Sequence, residues 1–307
     1  MTASHPERDE SPARSVEPPR ADRFDGQLDT TAQLMNRITS QLGSQLSLVS
    51  LNGTRRPAPP PLVLAAHGSR DPRALSTVRA LAERVRELRP HLTVRLGHID
   101  VGDPPLSGTL ASLGGGQGAG AVLVPLLLGR GHHVRRDLPR AAAAAPGPPV
   151  RVAAPLGPHP LLVETLHDRL VEAGWPAGMS DAARRTGAVV LASAGSRLVE
   201  SAADTRRTAL LLAERLGVPV VPAYASGAAP TVPAALRALA ARGRHRVAVA
   251  SHFTAPGRLA SRCAEAGPWI RAEPLGDHPA MVRLVLHRYD QALATPEPAP
   301  ERTLTPA

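Results

Sequence analysis

Leu62-Val63-Leu64-Ala65-Ala66-His67-Gly68-Ser69-Arg70-Asp71-Pro72 opens with five apolar residues and ends in a polar turn. An unbroken apolar run of this length predicts a strand over 62–66 that is covered on both faces, as in a parallel sheet. Downstream, Leu75, Val78, Leu81, Val85 and Leu88 fall at helical spacing, so 73–89 is expected to be a helix. Further strands are expected over 93–99, 121–128 and 150–154, with helices over 106–113 and 161–173. Strands alternating with helices predict an α/β layer.

The same order recurs. Strands are expected over 188–192, 218–223, 246–250 and 269–272, with helices over 202–216 and 279–292. The letters repeat as well. Leu64-Ala65-Ala66-His67-Gly68-Ser69-Arg70 matches Leu191-Ala192-Ser193-Ala194-Gly195-Ser196-Arg197, and Ala154-Pro155-Leu156-Gly157-Pro158-His159-Pro160 matches Glu273-Pro274-Leu275-Gly276-Asp277-His278-Pro279. We read two doubly wound lobes, 61–177 and 186–294, related by internal duplication and facing each other across a cleft. Ligands of such sheets sit beyond the carboxyl ends of the strands. The length of 307 residues agrees with two domains at roughly 150 residues each.

Outside the lobes, residues 1–28 are polar and Pro-rich and are expected to be disordered. Leu34, Met35, Ile38, Leu42 and Leu46 suggest one amphipathic helix over 29–50, and 53–61 reads as a linker. Residues 1–60 thus form an extension, and 295–307 a disordered tail.

Composition excludes several classes. The chain is 43% hydrophobic and 2% aromatic, which leaves few stacking platforms for single-stranded nucleic acid. No apolar run approaches the ~20 residues of a membrane span, and no secretory signal core is visible, so we expect a cytoplasmic protein without membrane or nucleic-acid partners. Cys263 is the only cysteine, which removes intrachain disulfides and cysteine zinc sites. Lysine is absent, so the formal net charge of +10 is carried by arginine, and residues 1–60 hold seven arginines and seven acids. The excess lies in the lobes. Arginine forks suit carboxylate and phosphate, although a solvated arginine surface gives the same count.

His67 stands where the first strand ends, and Gly68 permits a tight turn close to a ligand. His132 and His133 follow the strand over 121–128, and Asp100 follows the strand over 93–99. A parallel sheet therefore brings all of them to one carboxyl edge. Neutral imidazole is a common metal ligand, and a nitrogen-rich pair suits Fe, Co, Ni or Zn better than Mg or Ca. A neighbouring carboxylate can take protons or orient a ligand. The same residues also admit plainer roles: His67 bonding a loop, the His pair capping a helix, and Asp100 or Asp103 capping the helix that follows, with Asp103 the better candidate. Ser69, Arg70, Arg130, Arg135 and Arg136 flank the edge and could clamp carboxylates. His159 and His278 recur in both halves and read as architectural. The Gly-rich 114–120 precedes a strand and reads as a loop rather than a dinucleotide fingerprint. His98, His167, His252 and His287 suggest no partner. Aligned by the repeat, His67 becomes Ala194, Asp100 becomes Ser226 and His133 becomes Arg258. The first lobe would then carry the chemistry, and the second would supply Arg197 and Arg258 for an anion.

Ala65-Ala66-His67-Gly68-Ser69-Arg70-Asp71-Pro72, the Asp100–Pro104 segment, Gly131-x-His133-Val134-Arg135-x-Asp137-x-Pro139 and the two Leu-Gly-x-His-Pro repeats together resemble the sirohydrochlorin chelatases, including the cobaltochelatase branch of cobalamin synthesis. The resemblance covers 61 to about 294. It implies a class II chelatase of the long form: two flavodoxin-like lobes with parallel sheets, the second degenerate. The implied reaction inserts a divalent metal, Fe²⁺ for siroheme or Co²⁺ for cobalamin, into an acidic tetrapyrrole without ATP or a tightly bound cofactor. His67 and His133 match the family's metal-binding histidines, and Asp100 falls where the family often has Glu. An internally duplicated chain can act as a monomer. Two other readings stay open at this point: a metal or tetrapyrrole carrier without turnover, and a histidine phosphatase. The phosphatase chemistry wants an arginine directly before the histidine, where this chain has Ala66.

Overall fold

The computed structural model describes residues 58–113 and 120–295. The readings made for 1–57, for 114–119 and for the tail beyond 295 lie outside the described residues.

The first lobe contains strands β1 (Leu62–Gly68), β2 (Val94–Val101), β3 (Ala121–Pro125) and β4 (Val150–Val152). Its helices are α1 (Pro72–Leu88), α2 (Leu106–Ala111), α3 (Leu138–Ala143) and α4 (Pro160–Glu172), and a π-helical turn spans His133–Asp137. A short helix α5 (Asp181–Thr186) leads into the second lobe. There β5 (Gly187–Ser193), β6 (Val220–Tyr224), β7 (Arg246–His252) and β8 (Ile270–Arg271) alternate with α6 (Val199–Leu216), α7 (Val232–Ala240), α8 (Arg258–Ala264) and α9 (Pro279–Ala294).

Both sheets are parallel, with strand orders β2-β1-β3-β4 and β6-β5-β7-β8. Registers correspond: Leu62 pairs with Val94 and Val122, as Val189 pairs with Val220 and Ala248. In each sheet the chain leaves the central strand on one side and returns on the other. That reversal opens a crevice at the carboxyl ends of β1 and β3, and again at β5 and β7.

The local chemistry explains the elements. Leu62–Ala66 and the whole of β5 are buried, which uses their unbroken apolar runs. Asp71 caps α1 by accepting from the Arg73 N–H at 2.9 Å, and Pro72 supplies the first-turn residue that needs no N–H partner. Val78, Leu81, Ala82 and Val85 form its buried stripe. α6 stops at Gly217, whose φ of 66° is the left-handed C-terminal conformation. His159 and His278 cap α4 and α9 by accepting from the N–H groups of Leu161 and Ala280.

Several expectations need correction. β1 runs on through His67 and Gly68, and β2 through Asp100, so two site residues belong to strands rather than to the loops after them. β3 ends at Pro125 rather than at residue 128. Asp103 does not cap α2: its cap position is Pro105, with no side-chain bond. Helices α3, α5, α7 and α8 were not read from the sequence, although Thr231, which caps α7, precedes Val232-Pro233 in a start signal that was there to be seen.

The lobes share one core. A single apolar cluster joins Leu62, Leu81 and Leu166 to Leu191, Leu212, Leu284 and Tyr289. It forms because the closing helices cross over. α4, which ends the first lobe, packs on α6 and β7 of the second, while α9 packs on α1 and β3 of the first. Arg89 pairs with Asp290 at 2.5 Å, Arg84 with Asp277 at 2.8 Å and Arg283 with Glu164 at 2.5 Å along this seam. Among the described residues no helix is long and apolar enough to cross a membrane.

Candidate functional site

The carboxyl ends of both sheets open on one cleft of about 980 Å³ between the lobes, at the upper end of the usual size for a ligand site. Leu126, Leu127, Phe253 and Leu259 contribute apolar wall, and His67, Asp100 and His133 line it from the first lobe.

Strand geometry places the first two of these. Gly68 has a φ of 100°, and a Cβ there would lie 2.1 Å from the Val101 carbonyl oxygen. Only glycine lets the end of β1 lie so close against β2, and the register slips at this point between Ala66 and Gly68. As a result the His67 Nδ1 lies 3.6 Å from the Asp100 Oδ2. His133 comes from the turn beyond β3, with its Nε2 3.7 Å from the same oxygen. The two imidazole rings meet edge to face, 4.9 Å between centroids and 87° between planes.

One nitrogen from each histidine and one Asp100 oxygen all lie within 4.8 Å of one another. Ligand atoms about 2.1 Å from a tetrahedrally bound ion are separated by about 3.4 Å. A small inward rotation of exposed side chains would therefore bring these three atoms onto a common ion, with a fourth position open. His67 is 59% exposed and Asp100 46%, whereas His133 is 26% exposed. His133 also has a partner of its own: its Nδ1–H donates to the Asp137 Oδ2 at 2.7 Å. A carboxylate only accepts, so this bond places a proton on Nδ1 and leaves Nε2 facing Asp100. The His132 Nε2 lies 3.8 Å from the other Asp137 oxygen.

The other expected residues separate into two groups. Ser69, Arg70 and Arg258 line the cleft, and the Ser69 hydroxyl also accepts from the Asp71 N–H at 3.0 Å. Arg135, Arg136 and Arg197 are not part of its wall. Arg135 instead pairs with Glu200 of α6, across the lobes. Arg130 likewise turns to the second lobe, where Asp204 receives it.

The sequence reading missed the second lobe's own polar pair. The Ser193 hydroxyl and the His252 Nδ1 lie 2.8 Å apart at the ends of β5 and β7, buried in the cleft wall. Burial pushes the His252 imidazole down to about 4. Its signal was the repeat itself: a polar residue ending each central strand, in paired register. Of the other histidines without expected partners, His98 bonds the Pro104 carbonyl at 3.2 Å, His167 bonds Asp168 at 2.8 Å, and the His287 ring lies against His159, tilted by 45° with 4.8 Å between centroids.

Known proteins place this arrangement. The CbiX family model matches residues 61–173 and 188–292, one copy on each lobe. A sirohydrochlorin cobaltochelatase from Methanopyrus kandleri is 29% identical over 136 residues, covering 36% of this chain and 95% of the relative. One from Methanococcus aeolicus is 30% identical over 79 residues, covering 26% of this chain. The chain spans about half of that relative, 55% of its length. Among solved structures, the sirohydrochlorin chelatase SirB from Bacillus subtilis subspecies spizizenii in complex with cobalt superposes with a TM-score of 0.61 at 17% identity. That match covers 75% of this chain and 94% of SirB, and it carries the fold of both lobes. With one match on each lobe, and the paired histidines of the first lobe gathered at its sheet edge, the chain belongs to the CbiX family.

Proposed function

We propose that this protein is a sirohydrochlorin chelatase that inserts Fe²⁺ or Co²⁺ into the acidic tetrapyrrole without ATP, and that the first lobe carries the reaction. The observation that carries this reading is the convergence of His67, Asp100 and His133 on one side of the interlobe cleft.

The chemistry asks for little more. A divalent ion enters as two pyrrole N–H protons leave, so charge balances with no nucleotide or redox partner. His67 and His133 hold the ion through neutral nitrogens, loosely enough to surrender it to four macrocycle nitrogens. Asp100, 46% exposed, accepts a departing proton and passes it to solvent. Three protein ligands leave a position through which a pyrrole nitrogen can take the metal. Ser69 and Arg70 on the first lobe and Arg258 on the second receive the carboxylates of the macrocycle, Arg70 and Arg258 by charge-assisted bonds. One chain supplies both walls, so a monomer suffices.

Purified protein mixed anaerobically with sirohydrochlorin and either ion tests the reading by the absorbance change of metal insertion. Many turnovers per chain are expected. A rate equal to the uncatalysed background with both ions overturns it, and a single stoichiometric burst assigns a carrier instead.

A further inference from the structure

His67 and Asp100 stand on strands of the first sheet, but His133 stands on an excursion between β3 and α3. The second lobe holds this excursion at three points. The Thr254 hydroxyl donates to the Leu126 carbonyl at 3.1 Å, just past the end of β3. Asp204 of α6 accepts the Arg130 backbone N–H at 2.8 Å, and its two oxygens take the Arg130 Nε and Nη2 at 3.0 and 2.6 Å. Glu200, one helical turn earlier on α6, pairs with Arg135. Residues four apart share a helix face, so one face of α6 grips the chain on both sides of His132-His133.

Asp204 is the strong member. It is 3% exposed, and Arg130 supplies every donor its carboxylate receives among the described residues. The fit is close: a Cβ on Gly129 would lie 3.3 Å from the Asp204 Cβ. A forked, charge-assisted bond from an arginine to a buried carboxylate fixes direction as well as distance. The second lobe has Ala194 and Ser226 in place of His67 and Asp100 and cannot repeat the three-ligand set.

We infer that Asp204, supported by Glu200, is a positioning residue that holds His133 within reach of the metal ion bound by His67 and Asp100. The degenerate lobe thus completes the site of the other lobe without touching the metal. This rests on the proposed function, and its test is read on metal binding alone.

Co²⁺ is titrated into the substrate-free full chain, following its visible absorption bands, in a cycle of Asp204→Asn, His133→Ala and the double variant. Asn keeps an acceptor for the Arg130 N–H but loses the charged fork. Asp204→Asn is expected to weaken Co²⁺ about tenfold in the wild-type background, the lower end of the range for outer-sphere partners of metal ligands, and less than twofold where His133 is already absent. An equal effect in both backgrounds, or none in either, overturns the inference.

Arg130→Lys, which leaves the Asp204 carboxylate intact, serves if Asp204→Asn does not fold. If His133→Ala binds too weakly to titrate, the split between metal KM and kcat decides. Positioning raises KM for the metal and spares kcat at saturation, and an unchanged KM overturns it. Wild-type turnover with sirohydrochlorin separates the two readings, since its absence strikes the proposed function and not the cycle.

Discussion

The Nδ1–H of His133 donates to the Asp137 carboxylate at 2.7 Å, from the first to the last residue of one π-helical turn. The i, i+4 spacing brings the two side chains into this contact, and the opposite nitrogen faces the cleft. Asp137→Asn is expected to weaken Co²⁺ binding 10- to 100-fold, since an amide can present its N–H to the ring and reverse the tautomer. Metal titration of the folded variant measures it, and an unchanged affinity would show that the ring is oriented by other contacts.

Removing the ligands themselves should separate binding from proton transfer. His67→Ala and His133→Ala are each expected to lower kcat/KM for metal insertion at least 100-fold. Asp100→Asn keeps the size and removes the base, so kcat is expected to fall roughly 10²-fold. If Asp100→Asn changes only the KM for metal, Asp100 is a ligand and not a proton acceptor.

Two glycines offer a matched comparison. Gly68 and Gly195 have φ of 100° and 93°, and a Cβ would lie 2.1 Å from the Val101 oxygen and 1.8 Å from the Ser226 oxygen respectively. Gly68→Ala and Gly195→Ala should each destabilise the fold by about 2–4 kcal/mol through backbone overlap and strain. Only Gly68→Ala should also weaken Co²⁺, because only there does the overlap separate His67 from Asp100. Urea unfolding and metal titration together check both statements.

Acid should destabilise the protein in a defined window. Burial holds His252 down at about 4 from an ordinary 6.5, and burial together with the Arg288 and His287 charges does the same to His159. The unfolded chain takes up these protons below about 6.5 and the folded chain does not. Stability is therefore full above that pH, falls as pH drops toward 4 and flattens below it. For the fully buried His252 the loss is about 3 kcal/mol. His252→Gln should make the slope of stability against pH shallower between 6.5 and 4. An identical slope would assign the acid sensitivity elsewhere.

Much of the fold was legible because buried parallel strands leave little choice of composition. Leu62–Ala66 and Ala188–Ala192 read as strands on apolarity alone, and the repeated turn after each marks the duplication. His67, Asp100 and His133 could be placed at one edge because parallel topology fixes which strand ends coincide. What the letters could not fix is the side to which a long side chain turns. Arg135 suits a ligand carboxylate and the Glu200 carboxylate equally well, and only the packing of α6 decides between them. The same holds for α4 and α9, whose apolar stripes would satisfy either sheet. Ser193 and His252 were hidden because each is unremarkable alone and acquires meaning only through the register of β5 and β7.

The crossing of the closing helices has a consequence for synthesis. Met281, Leu284, Val285 and Tyr289 are essentially inaccessible beneath the first sheet's own layer, and each such side chain is worth roughly 1.5–3 kcal/mol of burial. While the ribosome still holds Pro279–Ala294, the amino-terminal half lacks its final cover and carries a bare apolar flank. Its packing is completed only when α9 arrives, unlike that of domains that fold in order as they emerge. The final packing of the first lobe therefore waits for nearly the whole polypeptide.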